Sequence, residues 1–293
     1  MSAPLSLSIR NAHPRDEHIS FEEGPHIYTV LGERGTYKSV TTWNHSHFEE
    51  FDGEAIVERI LKGSRWANDP TYKYYKKSKE TILGEWEINR VAASGAGTKM
   101  HFDIEMFYND VPVENDSIEF KFFHDFRRDF PELVPYRTEW MVYYEELKLS
   151  GSIDMVFFDT AKQEYLIYDW KRSKEIVFDN VYGRHAKTAC ISHLPDTNFW
   201  HYSLQLNTYK MILQDKYGLK IGGMFLVVLH PNQNTYARIP CSDLTPELAL
   251  LKEVRLQEVQ RLLAAEQPVV QPAVQPAVQP SVEPPNNIKS CIY

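Results

Sequence analysis

The chain has 293 residues, enough to bury the core of one large domain or of two smaller ones. Apolar residues make up 43% and charged residues 25%, the balance of an ordinary globular protein, and no apolar run is long enough to span a bilayer. A net charge of −8 excludes a uniformly basic nucleic-acid coat but leaves room for a local basic channel.

Three widely spaced cysteines, Cys190, Cys241 and Cys291, form no disulfide framework and cannot supply four thiolates to an iron–sulfur cluster. The N-terminal stretch MSAPLSLSIRNAHPRDEH lacks the apolar core of a signal peptide. The expectation is an intracellular protein, in a compartment the residues leave open, with no membrane partner.

In chain order, HIYTVLGERGTYKSVTTW alternates like a hairpin with a glycine-rich turn at residues 32–35. Residues 48–90 are mostly helical in pattern. Within them TYKYYKKSKE alternates aromatic and basic residues: either a solvated helix face or a stacking and phosphate-contacting strip for a single strand, through Tyr72, Lys73, Lys76 and Lys77. In VAASGAGTKMHFDIEMFYND, the residues Ala93, Ala96, Met100, Ile104 and Phe107 recur at helical spacing, with Gly97, His101 and Glu105 along one edge. A second helix, SIEFKFFHDFRRDF, ends before Pro131. Three strands follow: EWMVYYEEL, SIDMVFF and EYLIYDWK. The helix NFWHYSLQLNTYKMILQDKY closes at Gly218, and the strands GGMFLVVLH and TYARIP and the helix TPELALLKEVRLQEVQRLLAAE complete the fold. Three meandering strands followed by a crossover helix and another strand indicate an α/β protein with a central mixed sheet flanked by helices. From Gln267, QPVVQPAVQPAVQPSVEPP places proline every four residues, an extended disordered spacer or a tether for a protein partner. The expected division is an N-terminal hairpin and helical region over 1–90, a core over 91–266 and this tail over 267–293.

Two aspartates interrupt the apolar strands, Asp154 and Asp169, and Lys171 follows the second on the same strand face. If the two strands are neighbours, hard carboxylate oxygens converge beside an ammonium. That is the composition of a Mg²⁺- or Mn²⁺-dependent hydrolytic site. A structural ion pair at a strand end is the simpler alternative. Gln205 breaks the apolar face Tyr202–Leu206–Tyr209–Ile212–Leu213 and needs polar partners if buried. His185, Cys190 and His193 fit no closed zinc spacing and read as loop residues.

Gly151-x-x-Asp154 on one strand and Asp169-x-Lys171 on the next resemble the core of the PD-(D/E)XK nuclease superfamily. DWKRSKE is similar to its RecB-like branch, which includes the mitochondrial genome-maintenance exonuclease. GTKMH resembles the branch's Gly-x-x-x-His helix motif, QLNTY its Gln-x-x-x-Tyr motif, and HIYTVLGERGTYKSVT a hairpin of phage-like members. The resemblance implies a restriction-endonuclease-like αβββαβ core and an end-trimming DNA exonuclease without an iron–sulfur cluster. It implies Asp154 and Asp169 as catalytic metal ligands, Lys171 as the catalytic lysine, the Trp170 carbonyl and His101 as further ligands, and two Mg²⁺ or Mn²⁺ ions. His101 favours manganese. Gln205 and Tyr209 would position the site and the nucleic-acid backbone, and Glu139, read as opening the first strand, would assist the metals. The partner is DNA, expected single-stranded; a catalytically weak binding subunit and an RNA-directed nuclease are the alternatives.

Overall fold

The computed structural model describes residues 6–266; the proline-rich segment from Gln267, with Cys291, lies outside the described residues. The elements begin with α1 (Leu7–Arg10), a 3-10 turn at Pro14–His18, β1 (Ile19–Glu22), β2 (Ile27–Val30), β3 (Glu33–Arg34) and β4 (Lys38–Ser39). Helices α2 (Val40–His45), α3 (Gly53–Leu61), α4 (Ser64–Asn68), α5 (Lys79–Tyr108) and α6 (Ile118–Asp129) follow. Then come β5 (Leu133–Tyr144), β6 (Leu149–Asp159), β7 (Glu164–Lys171), α7 (Asn198–Tyr217), β8 (Ile221–Val228), β9 (Ala237–Pro240) and α8 (Thr245–Glu266).

β5, β6 and β7 make an antiparallel meander. Helix α7 then crosses over so that β8 runs parallel to β7, and β9 closes the edge antiparallel. The protein is therefore mixed α/β, a central mixed sheet flanked by helices. Strand alternation sends successive residues of β7 into two cores. Ile167 packs with α2, α7 and α8 on one face, while Leu166, Tyr168 and Trp170 pack with α1, α5 and α6 on the other. The second core is aromatic: Phe123 and Phe126 set their edges against the Trp170 ring at 5.7 and 5.5 Å between centroids. Much of the chain's aromatic content is thus spent on packing, where a fully buried large side chain contributes about 1.5–3 kcal/mol.

The pairing of β6 decides where the sheet opens. β5 covers one edge of β6 along its whole length. On the other edge β7 pairs only as far back as Met155↔Tyr168, and β4 takes up Leu149 and Ser150 in parallel. Between these two partners β6 and β7 part like a fork.

Three sequence expectations change. The hairpin forms only in its first half. β2 and β3 meet at Leu31–Gly32, both with positive φ (52° and 82°), the twist that two-residue hairpin turns favour. β1 adds a third strand, and beyond Gly35 the chain leaves for the main sheet, where Ser39 caps α2 by accepting from the Thr42 amide at 3.1 Å. The first core strand begins at Leu133, six residues before Glu139, so Glu139 is interior to β5. Pro135 is tolerated there because β5 is an edge strand, and a register shift marks its place. The apolar stripe of α5 begins only at Met100; Ala93 is exposed and Ala96 half-buried. Helix α5 is a continuous 30 residues that runs straight through position 90. Its start packs on α3 through buried Ile82, residues 87–95 are exposed on every side, and its last turns enter the core. This exposed stretch is not uniformly polar, for Ile88 and Val91 stand open on it. Among the described residues no helix is long and apolar enough to cross a membrane.

The N-terminal segment is anchored by Asp16. Its carboxylate accepts from Arg137 Nη1 at 2.7 Å and from the Trp140 indole at 2.9 Å, both on β5, and from the His13 amide at 2.9 Å. Burial alone would raise the Asp16 pKa, but these hydrogen bonds outweigh it and hold the carboxyl below its ordinary value. A lowered folded pKa means the stabilisation is complete above the ordinary carboxylate range and is lost as pH falls through the folded value. Asp16→Ala, which leaves Arg137 buried and unpaired, is expected to cost about 2–3 kcal/mol in urea titrations at neutral pH, with the difference from wild type shrinking below about pH 4.

Candidate active site

Asp154 and Asp169 stand at the fork. They occupy the position that would follow Met155↔Tyr168 if the ladder continued, so the Trp170 amide has no strand partner on β6. Asp154 Oδ2 accepts that amide at 3.0 Å, a side chain standing in for a strand. Trp170 thus brings its N–H to the site, while its indole is buried in the aromatic core.

Opposite Asp154 on β5, between the pairs Thr138↔Met155 and Trp140↔Ile153, sits Glu139. Regular strands would put 138 with 140, and 153 with 155, on one face. Here Trp140 and Ile153 pack on the α7 side, while Met155 joins the α5 core and Thr138 Oγ1 accepts from Asn109 at the end of α5 (3.0 Å). Both strands change face at the Glu139–Asp154 pair. Glu139 carries the change with a left-handed backbone, φ 42°, a conformation costing a non-glycine residue about 1–3 kcal/mol. Its Oε2 accepts from the Ser152 hydroxyl at 2.9 Å.

His101 reaches in from α5, with Nδ1 3.4 Å from Asp154 Oδ2 and 4.0 Å from Glu139 Oε1. One donor atom from each of His101, Glu139 and Asp154 lies within 4.8 Å of the others, the one such grouping among the described residues. Asp169 is outside this trio. Its Oδ2 is buried, lies 2.6 Å from Lys171 Nζ and makes no well-aligned hydrogen bond. Lys171 rests over the Tyr202 ring of α7, 4.4 Å from its centroid.

Burial and then the Asp154 charge push Glu139 up to about 7. Asp169 also rises, to about 6, because burial and the Asp154 charge outweigh the attraction of Lys171. For Lys171, burial works toward the neutral amine, but the Asp169 and Asp154 carboxylates prevail and keep the ammonium charged. A concentration of carboxylates held above their ordinary range suits a small divalent ion. One nitrogen and two carboxylate donors, with the buried Asp169 carboxylate and its Lys171 partner beside them, are suitable ligands.

Gly151 shows why the sequence carries glycine three residues before Asp154. A Cβ there would lie 2.7 Å from the Tyr209 hydroxyl and 2.9 Å from its ring. Tyr209 is fully packed, and burial raises its hydroxyl pKa well above the ordinary value. Gln205 is half-buried: it lies beside the Tyr209 hydroxyl and sets Nε2 3.4 Å from Thr41 Oγ1. The pair thus buttresses the β6 end from behind.

The aromatic–basic strip is not brought to the donors. It is no helix face but a turn between α4 and α5, whose start at Lys79 is about 33 Å of helix away from His101. Lys77 pairs with Glu85 at 2.6 Å, Lys73 and Lys76 lie over the neighbouring rings of Tyr74 and Tyr75, and the Tyr74 hydroxyl accepts from the Trp86 indole. His185 and His193 engage separate partners, Gly183 O and Glu247, in keeping with loop roles. Sequence reasoning undervalued Glu139, whose partner Ser152 and left-handed backbone have no sequence signature, and took Tyr202 for a core residue because it shares the apolar helix period.

No protein-family model matches the chain, and no curated protein matches it. Among solved structures, the crystal structure of SSO0001 is similar at 15% identity over 79% of this chain and 77% of that one, with a TM-score of 0.28, too low to carry an argument.

Two outcomes follow from the geometry. Gly151→Ala is expected to lower stability by about 1–3 kcal/mol in urea titrations, because Tyr209 has no room to withdraw. Metal ligands must be deprotonated, so Mn²⁺ affinity by isothermal titration calorimetry should fall as pH drops below about 7, with proton release on binding near pH 6. In the metal-free protein the sign is opposite: Glu139, raised in the fold, contributes stability below its ordinary value that is lost as pH rises through about 7.

Proposed function

We propose that this chain is a divalent-metal-dependent nuclease of the PD-(D/E)XK type, RecB-like and without an iron–sulfur cluster, that trims single-stranded or free DNA ends. The observation that carries the reading is the gathering of His101, Glu139 and Asp154 within 4.8 Å, beside the Asp169–Lys171 pair, at the fork of a mixed sheet.

His101, Glu139 and Asp154 would hold the ion, with Asp169 nearby, and the nitrogen donor would favour Mn²⁺ over Mg²⁺. When bound, such an ion supplies positive charge beside the scissile phosphate and acidifies water. Lys171, held charged and aimed by Asp169 and the Tyr202 ring, orients the attacking water and offsets negative charge developing on the phosphate. Attack in line on phosphorus releases the 3′ oxygen and leaves a 5′-phosphate. A cleft of about 670 Å³ opens onto His101 and Glu139, walled by Phe21 and Tyr28 of the hairpin and by Phe102 of α5. Its apolar walls suit a base and its acidic floor suits a metal–phosphate contact. Replication, recombination or repair is the setting for such an activity, inside a cell or virus-infected cell.

The test is cleavage of end-labelled linear and circular single-stranded DNA, with an RNA arm, in Mn²⁺ and in EDTA. Linear DNA should be shortened in Mn²⁺ alone, and Lys171→Ala should lose about a hundredfold or more of the rate while still binding DNA. Cleavage by Lys171→Ala at the wild-type rate would remove the role given to that residue.

A further inference from the structure

A second groove, of about 750 Å³, includes none of the metal donors in its lining and lies between α3, α4 and the loop at residues 180–184. Phe51 stands on its rim with its ring 6.0 Å from that of Trp86, and Trp86 precedes His101 by about 22 Å of helix. The Phe51 rim of the groove is thus set back from His101 along α5.

Its lining contrasts with the rest of an acidic chain. Arg59, Arg65 and Arg184 line it, and no aspartate or glutamate does. Arg65 is partly used by Asp69 at 3.3 Å, whereas Arg59 spends only its Nε on the Ala55 carbonyl and Arg184 has no acidic partner among the described residues. Aromatic rings alternate with these cations. Tyr182 is 85% and Phe51 75% exposed, far beyond what packing asks of such side chains. Trp66 is fixed by its indole hydrogen bond to the Lys77 carbonyl at 2.9 Å, and Tyr72 is held under the Arg65 guanidinium at 4.5 Å.

We propose that this groove binds single-stranded polynucleotide, its arginines meeting phosphates and its exposed rings stacking bases, so that the strand is gripped at a distance from the fork. Guanidinium groups pair with phosphate oxygens in a fixed fork geometry, and aromatic stacking accepts any base, which together give sequence-tolerant binding. The lysines of the 72–77 strip, turned onto their own rings and onto Glu85, contribute less than the three arginines. The choice of ligand rests on the nuclease reading, but the groove's chemistry is independent of the metal donors.

The experiment measures binding of fluorescent oligo(dT) to the full chain in EDTA by anisotropy, so that loss of catalysis has no bearing on it. Arg59→Ala combined with Arg184→Ala should weaken binding about tenfold and flatten the dependence of log affinity on log salt by about 0.7 per phosphate contact removed. Tyr182→Ala should weaken it by a similar factor with the salt slope unchanged. Lys162→Ala, which removes one exposed charge from the turn between β6 and β7, is the control for net charge and should bind as wild type does. All four positions are exposed, and thermal melts matching wild type show that the variants fold. The proposal is overturned if the arginine pair binds oligo(dT) within twofold of wild type, if Lys162→Ala is equally impaired, or if polyglutamate displaces the probe as well as unlabelled oligo(dT) does. An oligo(U) arm shows whether the groove also accepts ribose.

Discussion

The arrangement of the site depends on one hydrogen bond, from the Trp170 amide to the Asp154 carboxylate at the point where β6 and β7 separate. A ladder that continued would satisfy the amide with a backbone carbonyl and leave no opening between the strands. Because β7 stops pairing at Tyr168, the amide needs another acceptor, and the carboxylate supplies it with a charge-assisted bond. The same bond fixes the Asp154 side chain relative to β7, so Asp169 and Lys171 are placed by the next residues of the same strand. β4 closes β6 beyond the fork, which confines the unpaired stretch to the residues that carry chemistry.

The wall behind the fork follows from packing. Tyr209 presses so closely on β6 that only glycine fits at position 151. Tyr202, two helical turns earlier on α7, supports Lys171. A single helix face therefore determines both the end of β6 and the aim of the lysine on β7, while α5, on the opposite face of the sheet, delivers His101. The two cores are stitched to the same strands, Ile167 to one and Trp170 to the other, so the donors cannot drift apart without opening a packed layer.

Much of this was legible in the sequence because it is periodic or spaced. EYLIYDWK and NFWHYSLQLNTYKMILQDKY coincide with β7 and α7 as the structure bounds them, since a short apolar run and a 3.6-residue period each leave one option. The mixed sheet could be anticipated from three strands, a helix and a strand. What escaped were features created by tertiary contacts. The length of β5 before Glu139 was hidden by Pro135, which an edge strand tolerates. β1 is short, and half of its residues are charged or polar. The free middle of α5 satisfies helical period without burying anything, so pattern alone made it amphipathic. The strip at residues 72–77 alternates like a surface feature, yet its rings and charges are largely consumed by their own neighbours.

Glu139 ties these threads to energetics. An acid in a left-handed backbone, facing a second acid and half-buried, is unfavourable by conformation, by desolvation and by like-charge repulsion at once. Such a residue persists only when its surroundings over-determine it. The pairs on either side of it, Thr138↔Met155 and Trp140↔Ile153, are locked into opposite cores, and the chain between them has to cross the sheet. The strain is thus imposed by the packing of neighbours that carry no chemistry, and its product is a carboxylate turned out of both cores toward Asp154 and His101. A cation placed among them would relieve the repulsion and the desolvation together, though not the backbone conformation. The fold holds the donors in position before any ion arrives, and the energy released on binding is energy that folding had to withstand.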